Sequence, residues 1–139
     1  MWPAVEADPE MSSSLRCLDV LVHSAGILIN GSLETLSLAE YDRIMNINTR
    51  AAFLLTQLCA PHLAATRGAV VHVSSVTGLR AFPGVLGYCV SKAALDQLVR
   101  CAALDLASKG CRTFRHSIYN FYFFYKKDSS TLDNLDNIG

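Results

Sequence analysis

The chain contains 139 residues, of which 51% are hydrophobic and 17% are charged, and twelve basic residues balance twelve acidic ones. This length suits a single domain, because most domains contain about 100 to 150 residues. The apolar share excludes general disorder, and the zero formal net charge argues against a nucleic-acid-binding surface. A charged share below the usual value of about 25% is low for the surface of a small independent protein.

Cysteine and histidine spacing gives no sign of a cross-linked or metal-bound framework. The five cysteines form no Cys-x-x-Cys pair, and the four histidines form no His-x-x-x-His pair. This usage favours reduced thiols in a cytoplasmic protein and predicts no metal site. No apolar run reaches the length of a membrane-spanning helix, and residues 1–16 lack the pattern of a signal peptide.

The N-terminal part of the sequence predicts a leader followed by a strand. Residues 1–17 contain two prolines and a run of three serines, which indicates a loose leader. Residues 18–23 (LDVLVH) form a short, mostly apolar run that ends at Ser24-Ala25-Gly26. Such a run predicts a buried strand that ends in a tight turn.

A long helix is expected next. Ser37 is followed three residues later by Glu40, the spacing of a capping box. Apolar residues then recur with helical spacing over about residues 38–65. Pro61 is expected to bend the last turn of this helix or to end it early, because proline lacks a backbone N–H.

The second half repeats the order of strand and helix. Residues 69–73 (AVVHV) predict a second buried strand, residues 77–87 a glycine-containing loop, and residues 87–109 a helix stopped by Gly110. Buried strands that alternate with helices indicate an α/β fold with a parallel sheet covered on both faces.

The C-terminal segment changes in character after residue 112. Residues 114–125 are rich in phenylalanine and tyrosine, and a polar stretch follows them. The sequence therefore divides into a leader at 1–17, a core at 18–112 and a divergent tail at 113–139. A strand over 117–125 is compatible with the composition, but the segment has no clean period.

Tyr88 and Lys92 are spaced for proton chemistry. Four residues apart at the start of a predicted helix, they share one helix face. A free tyrosine has a pKa near 10 and is a poor acid or base at neutral pH, but a neighbouring ammonium favours the phenolate form. The spacing is also compatible with a surface tyrosine beside a solvated lysine.

Three further features accompany this pair at positions where parallel sheets bind ligands. Ser75 ends the second predicted strand, Ser24-Ala25-Gly26 ends the first, and Asn48 lies inside the first long helix. Ligands bind open parallel sheets outside the carboxyl ends of the strands. Taken singly, Ser75 could cap a strand and Asn48 could be a polar residue that bends a helix.

Four motifs in this order resemble the short-chain dehydrogenase/reductase family. His23-Ser24-Ala25-Gly26 is similar to the family's Asn-Asn-Ala-Gly turn, and Asn46-Ile47-Asn48 to its Asn-Val-Asn motif. Val73-Ser74-Ser75 is similar to the strand end that carries the family's serine. Tyr88-Cys89-Val90-Ser91-Lys92 matches its Tyr-x-x-x-Lys motif. The resemblance covers about residues 18–112.

The resemblance implies a role for each matched residue. Tyr88 would be the general acid or base, Ser75 would hydrogen-bond the substrate oxygen, and Lys92 would favour the phenolate and bind the nicotinamide ribose. Asn48 would hold a water that links Lys92 to solvent. The implied cofactor-binding residues are Ser24, Ala25, Gly26, Ile47, Ser74, Tyr88 and Lys92, and no metal ligand is implied.

The sequence departs from the family pattern at both ends. The family begins with a strand and a glycine-rich turn that binds the pyrophosphate, whereas no glycine precedes Gly26 here. We therefore expect a partial Rossmann-like, doubly wound parallel sheet with a strand-helix-strand-helix core, truncated at both ends and lacking the first three strands and the C-terminal part. Binding of NAD or NADP would then be weak or lost.

Two functions follow from the resemblance. One is an NAD(P)-dependent oxidoreductase that moves hydride between an alcohol or carbonyl substrate and nicotinamide. The other is a truncated, inactive chain that at most associates with full-length subunits. The resemblance also implies a homo-oligomer interface formed by the helices over about 38–65 and 88–109, because these two helices form the main subunit interface in the family. The second helix is apolar on most sides, which suits such an interface but also suits burial inside a larger monomer. The sequence identifies neither the substrate nor the choice between NAD and NADP.

Overall fold

The computed structural model describes residues 17–117. Most of the predicted leader and of the predicted aromatic and polar tail lies outside this range, including all but the first residue of the strand considered for 117–125. The elements are β1 (Val20–His23), α1 (Leu38–Met45), a π-helical turn (Asn46–Arg50), α2 (Ala51–Thr66), β2 (Ala69–Ser74), a 3-10 turn (Val76–Gly78), α3 (Leu86–Ala107) and β3 (Arg112–Ser117).

The three strands form a parallel sheet in the order β1-β2-β3. Helix α2 packs on β1 and β2, α3 packs on β2 and β3, and the two helices contact each other. This arrangement confirms the predicted Rossmann-like α/β class. The sequence pattern predicted helices on both faces, whereas the two long helices among residues 17–117 share one face.

The core lies between that face and the two long helices. Its central side chains come from every layer, with Leu63 on α2, Val70 on β2 and Leu106 on α3, and Cys111 closes the cluster before β3. Complete burial of a leucine or valine side chain contributes about 1.5 to 3 kcal/mol. This apolar contact orients the helices over the sheet and so fixes the ends of the strands.

The predicted start of the first helix is confirmed in atomic detail. The backbone N–H of Glu40 donates to Ser37 Oγ at 3.3 Å, and the backbone N–H of Ser37 donates to Glu40 Oε2 at 3.0 Å. These reciprocal bonds satisfy two N–H groups that the first helical turn leaves open. At the end of the last helix, Gly110 adopts a φ of 74°, a left-handed conformation that glycine adopts readily.

Of the two effects expected at Pro61, a bend of the last turn or an early end of the helix, the early end does not occur. Helix α2 continues to Thr66 with Pro61 inside it. Contacts beyond the proline hold the final turn, because Leu63 is completely buried and Thr66 Oγ1 donates a 2.6 Å hydrogen bond to the carbonyl of Leu18. These tertiary contacts outweigh the single backbone bond that proline cannot make.

A third strand extends the predicted strand-helix-strand-helix order. The sequence divided core from tail at residue 112, which is the first residue of β3. This strand pairs with β2 from Ala69↔Arg112 to Ser74↔Ser117. The sheet therefore continues through the first five residues of the segment assigned to the tail.

Candidate active site

The candidate residues gather at the carboxyl ends of β1 and β2. Ser24, Ala25 and Gly26 form an exposed loop directly after β1, and Ser75 directly follows β2. Parallel strands bring their carboxyl ends to one edge of a sheet, where ligands bind in open α/β folds. The first turns of α3, with Tyr88 and Lys92, complete this edge.

Lys92 is a deeply buried ionisable residue of the site. Its side chain is 3% exposed, and Nζ donates a 2.9 Å hydrogen bond to the carbonyl of Val73 on β2. Burial lowers the pKa of the Lys92 ammonium, because a charge loses hydration there, and the Asp96 carboxylate opposes this lowering. The bond to β2 fixes the ammonium beside the strand end that leads to Ser75.

Tyr88 lies on the same helix face as Lys92, as the four-residue spacing predicts. The Nζ atom of Lys92 is 5.6 Å from the centroid of the half-buried Tyr88 ring. At this distance the ammonium and the ring attract each other. The pair therefore places a phenol and a cation together where a ligand can reach the phenol.

Asn48 joins the loop after β1 to helix α3. It is completely buried in the π-helical turn. Its Oδ1 accepts from the N–H of Ile27 at 2.8 Å, and its Nδ2 donates to the Ile27 carbonyl at 2.9 Å and to Ser91 Oγ at 3.0 Å. The Asn48 amide thus anchors three elements of the site through protein groups.

Gly26 connects the loop to both buried polar residues. A Cβ atom placed on Gly26 would lie 3.4 Å from Asn48 Oδ1 and 3.5 Å from Lys92 Nζ. The backbone of the exposed loop therefore lies directly over the amide of Asn48 and the ammonium of Lys92. This loop, Asn48, Lys92 and Tyr88 form one continuous group.

Ser75 and Ser74 occupy different environments at the end of β2. Ser75 is half-buried, and its Oγ accepts a 3.2 Å hydrogen bond from the N–H of Thr77, which caps the 3-10 turn. The hydroxyl hydrogen of Ser75 stays available for another acceptor. Ser74 is completely buried, and its Oγ has no hydrogen-bond partner within residues 17–117.

The remaining predicted cofactor contact, Ile47, is half-buried in the same π-helical turn as Asn48. Its apolar side chain makes no hydrogen bond to the other candidate residues. Ser24 and Ala25 likewise contribute an exposed loop surface and no side-chain bond to Lys92 or Asn48.

Several residues that support the site were not singled out from the sequence. Ile27 supplies both backbone partners of Asn48, Ser91 bonds its amide, and Asp96 acts on the charge of Lys92. Arg115 on β3 holds Asp96 at 2.7 Å. The four-residue spacing from Lys92 to Asp96 was a usable signal, because such residues share a helix face.

No group of three or more potential metal ligands occurs within residues 17–117. In the same range, no helix is both long enough and apolar enough to cross a membrane.

The amino-acid sequence of the chain is similar to that of known dehydrogenases and reductases. Residues 7–115 match the family model described as enoyl-(acyl carrier protein) reductase. The chain is 40% identical over 99 residues to 2-(R)-hydroxypropyl-CoM dehydrogenase of Xanthobacter autotrophicus, covering 68% of this chain and 40% of that protein. It is 35% identical over 118 residues to 3-beta-hydroxysteroid dehydrogenase of Comamonas testosteroni, covering 85% and 46%. The chain thus spans less than half the length of these relatives.

Solved structures agree with the sequence matches. A short-chain dehydrogenase from Streptomyces avermitilis superposes with a TM-score of 0.71 at 28% identity, covering 76% of this chain and 39% of that one. A short-chain dehydrogenase from Mycobacterium smegmatis gives a TM-score of 0.70 at 26% identity, covering 78% and 47%. With its parallel sheet and its Tyr88–Lys92 pair, the chain belongs to the short-chain dehydrogenase/reductase family.

Proposed function

We propose that the chain is part of an NAD(P)-dependent oxidoreductase acting on an alcohol or carbonyl substrate. The observation that carries this proposal is the buried Lys92 ammonium, fixed by the Val73 carbonyl and 5.6 Å from the Tyr88 ring. A phenol beside a fixed cation is well placed for proton transfer, because the ammonium attracts the negative charge that develops on the phenol oxygen.

The residues present fit the nicotinamide half of the cofactor. Lys92 Nζ has three N–H groups, of which one bonds Val73, so the others can bind ribose hydroxyls. The exposed Ser24-Ala25-Gly26 loop passes over Lys92 and Asn48 and offers a surface for a flat ring. The half-buried Ile47 side chain lies in the same turn as Asn48, whereas the side chain of Ser74 is completely buried, so that only its backbone at the strand end could contribute. When bound, the nicotinamide supplies or accepts the hydride.

The protein's own residues then manage the proton and the substrate oxygen. Tyr88 gives a proton to the carbonyl oxygen, or takes one from the alcohol oxygen. Ser75 donates its free hydroxyl hydrogen to the same oxygen and so holds it against Tyr88. Asn48 fixes the loop and α3 in register, and its Oδ1, which borders Gly26 beside Lys92, has a second lone pair for a relay water.

Tyr88→Phe separates binding from chemistry. We expect purified chain to bind NADH or NADPH with weak but saturable fluorescence changes and to turn over a panel of ketones and secondary alcohols. The Tyr88→Phe variant keeps the ring and removes the hydroxyl. It should retain cofactor binding and lose about 10²- to 10⁴-fold in turnover, the usual contribution of a general acid or base.

Tyr41→Phe is the matched control, since Tyr41 is a half-buried tyrosine on α1. Its turnover should equal that of the wild type. Absence of saturable binding of both cofactors, or equal turnover in Tyr88→Phe and the wild type, contradicts the proposal.

A cytoplasmic location is part of this proposal. All five cysteines are free thiols, and thiols stay reduced in that compartment.

A second candidate is a non-catalytic subunit that associates with full-length subunits of the family. A groove of about 320 Å³ between α2 and α3 supports it, lined by Phe53, Ala60, Leu98 and Ala102. Phe53 is 49% exposed in this groove, and large exposed apolar surfaces mark protein contacts. Both candidate functions include the same proposed interface, in which α2 and α3 of one subunit pack on a second subunit.

A further inference from the structure

A buried carboxylate lies one helical turn beyond Lys92. Asp96 is 2% exposed, and its Oδ2 accepts a 2.7 Å hydrogen bond from Nη1 of Arg115 on β3. A charge at this depth is costly unless it is paired, and the guanidinium supplies a charge-assisted bond. The Arg115 side chain is 31% exposed, so its own charge keeps contact with solvent. The ion pair ties the turn after Lys92 to the central sheet.

Gly78 closes the other side of this carboxylate. A Cβ atom on Gly78 would lie 2.7 Å from Asp96 Oδ2 and 2.9 Å from the Lys92 carbonyl oxygen. Only a residue without a side chain allows the 3-10 turn after Ser75 to approach α3 so closely. Asp96 is therefore enclosed between the turn that carries Ser75 and the strand that carries Arg115, and it cannot swing away from Lys92 freely.

Arg115 bonds only one of the two carboxylate oxygens of Asp96. Its second oxygen, Oδ1, is buried and makes no hydrogen bond within the described residues. The same carboxylate opposes the lowering of the Lys92 pKa that burial causes. Asp96 thus acts on the site's cation through space while Arg115 holds it in place.

The other ionisable groups that face Lys92 do not supply this negative charge. Burial lowers the pKa of the His23 imidazole on β1, and the Lys92 cation lowers it further. Tyr88 on α3 presents its ring to the ammonium. Among residues 17–117, Asp96 is the carboxylate that stabilises the charged form of Lys92.

We propose that Asp96, one helical turn beyond Lys92 and clamped by Arg115 and Gly78, is a positioning residue that keeps the Lys92 ammonium charged. This inference rests on the proposed function, because a charged Lys92 is what makes Tyr88 useful. A purely structural ion pair between α3 and β3 would affect the free energy of unfolding and leave the titration of Lys92 unchanged.

The titration of Lys92 tests the proposal without any need for turnover. The full chain has four lysines, so carbon-13 labelling of lysine side chains gives a simple NMR spectrum, and Lys92→Arg assigns the Lys92 signal. In Asp96→Asn the midpoint of Lys92 should fall by about one pH unit, a tenfold change in its ionisation constant, because an opposite charge is lost. Asp105→Asn is the matched control, an exposed aspartate on the same helix.

The double variant Asp96→Asn/Arg115→Gln guards against a folding defect, because it leaves no unpaired charge where the single variant leaves the guanidinium alone. It should show a fall of the same sign but smaller size, because loss of the Arg115 cation offsets part of the lost attraction. A midpoint equal to that of the wild type in Asp96→Asn, or in the double variant where only that variant folds, overturns the inference. Failure of the proposed function appears separately, as a wild-type chain that neither binds nor oxidises NADH or NADPH.

Discussion

Two buried histidines face each other beside the candidate site. His23 and His72 are opposite each other on neighbouring strands, and their rings lie 5.8 Å apart at 42°. His23 is 3% exposed and neither of its ring nitrogens has a partner within residues 17–117, while His72 is completely buried and its Nε2 lies 3.3 Å from Thr56 Oγ1. Neither environment favours an imidazolium, because little compensates for lost hydration.

Both imidazoles are therefore held neutral in the folded chain. Burial lowers the pKa of His72 to about 4 from its usual 6.5, and repulsion from His23, whenever that ring takes up a proton, lowers it further. Burial also lowers the pKa of His23, and the Lys92 cation adds to it. The sequence showed the two histidines inside apolar strands but could not show that they are in register.

The stability of the chain should depend on pH through His72. An unfolded chain takes up the proton at pH 6.5 and the folded chain only near pH 4, so stability is complete above pH 6.5 and falls as pH drops through that window. We expect the free energy of unfolding in urea to decrease by on the order of 1 kcal/mol per pH unit there. In His72→Gln this decrease should be smaller, and in the exposed control His116→Gln it should match the wild type. Equal slopes in all three would contradict the assignment.

At the scale of elements, the π-helical turn is the feature that the sequence did not predict. One continuous helix was expected over 38–65, yet the N–H of Ala51 bonds the carbonyl of Asn46, five residues back. A single widened turn disturbs the apolar spacing too little to be seen in the sequence. The turn nevertheless positions two residues of the site. It contains Asn48 and also Thr49, whose Oγ1 donates a hydrogen bond to the Ser91 carbonyl at 2.9 Å.

Removing the Asn48 amide should destabilise this junction. Asn48→Ala leaves the N–H and C=O of Ile27 without their side-chain partner and Ser91 Oγ without its donor. We expect a loss of about 1 to 3 kcal/mol in the free energy of unfolding, together with faster amide hydrogen exchange at Ile27. Asn46→Ala, a half-buried asparagine in the same turn, is the control and should cost less. An equal cost in both variants would show that Asn48 is not a special anchor.

At the scale of the whole molecule, the sequence pattern predicted the fold class, but it did not predict where the sheet ends. Apolar runs predicted strands β1 and β2. The capping box and the stop at Gly110 predicted the start of the first long helix and the end of the last one. Strand β3 did not, because it contains Arg112, Thr113, Arg115 and His116. Its Arg115 turns inward to meet Asp96, a partner that only the folded chain supplies.

The low share of charged residues also finds its explanation at this scale. On the sheet face opposite α2 and α3, Val20, Val22 and Phe114 are 51%, 59% and 48% exposed. Val71 lies beside Val22 and Phe114 in the same register. These side chains form an apolar face among the described residues, in addition to the groove between α2 and α3. Some of the apolar residues therefore lie on surfaces that residues 17–117 do not cover themselves, and these surfaces suit contacts with further protein.

Association through α2 and α3 can be tested by placing a charge in their groove. In a symmetric dimer each subunit contributes the same patch, so one substitution changes both sides. Phe53→Glu replaces a half-exposed aromatic of the groove with a carboxylate that would be buried against the partner. We expect wild-type chain to sediment above its monomer mass of 15.1 kDa and Phe53→Glu to dimerise at least about tenfold more weakly, because an unpaired charge resists burial.

Leu33→Glu is the control, because Leu33 is 85% exposed and lies before α1, away from the groove. The mass distribution of Leu33→Glu should equal that of the wild type. If Phe53→Glu associates as strongly as Leu33→Glu, the groove is not the interface, and the uncovered face of the sheet becomes the surface to test next.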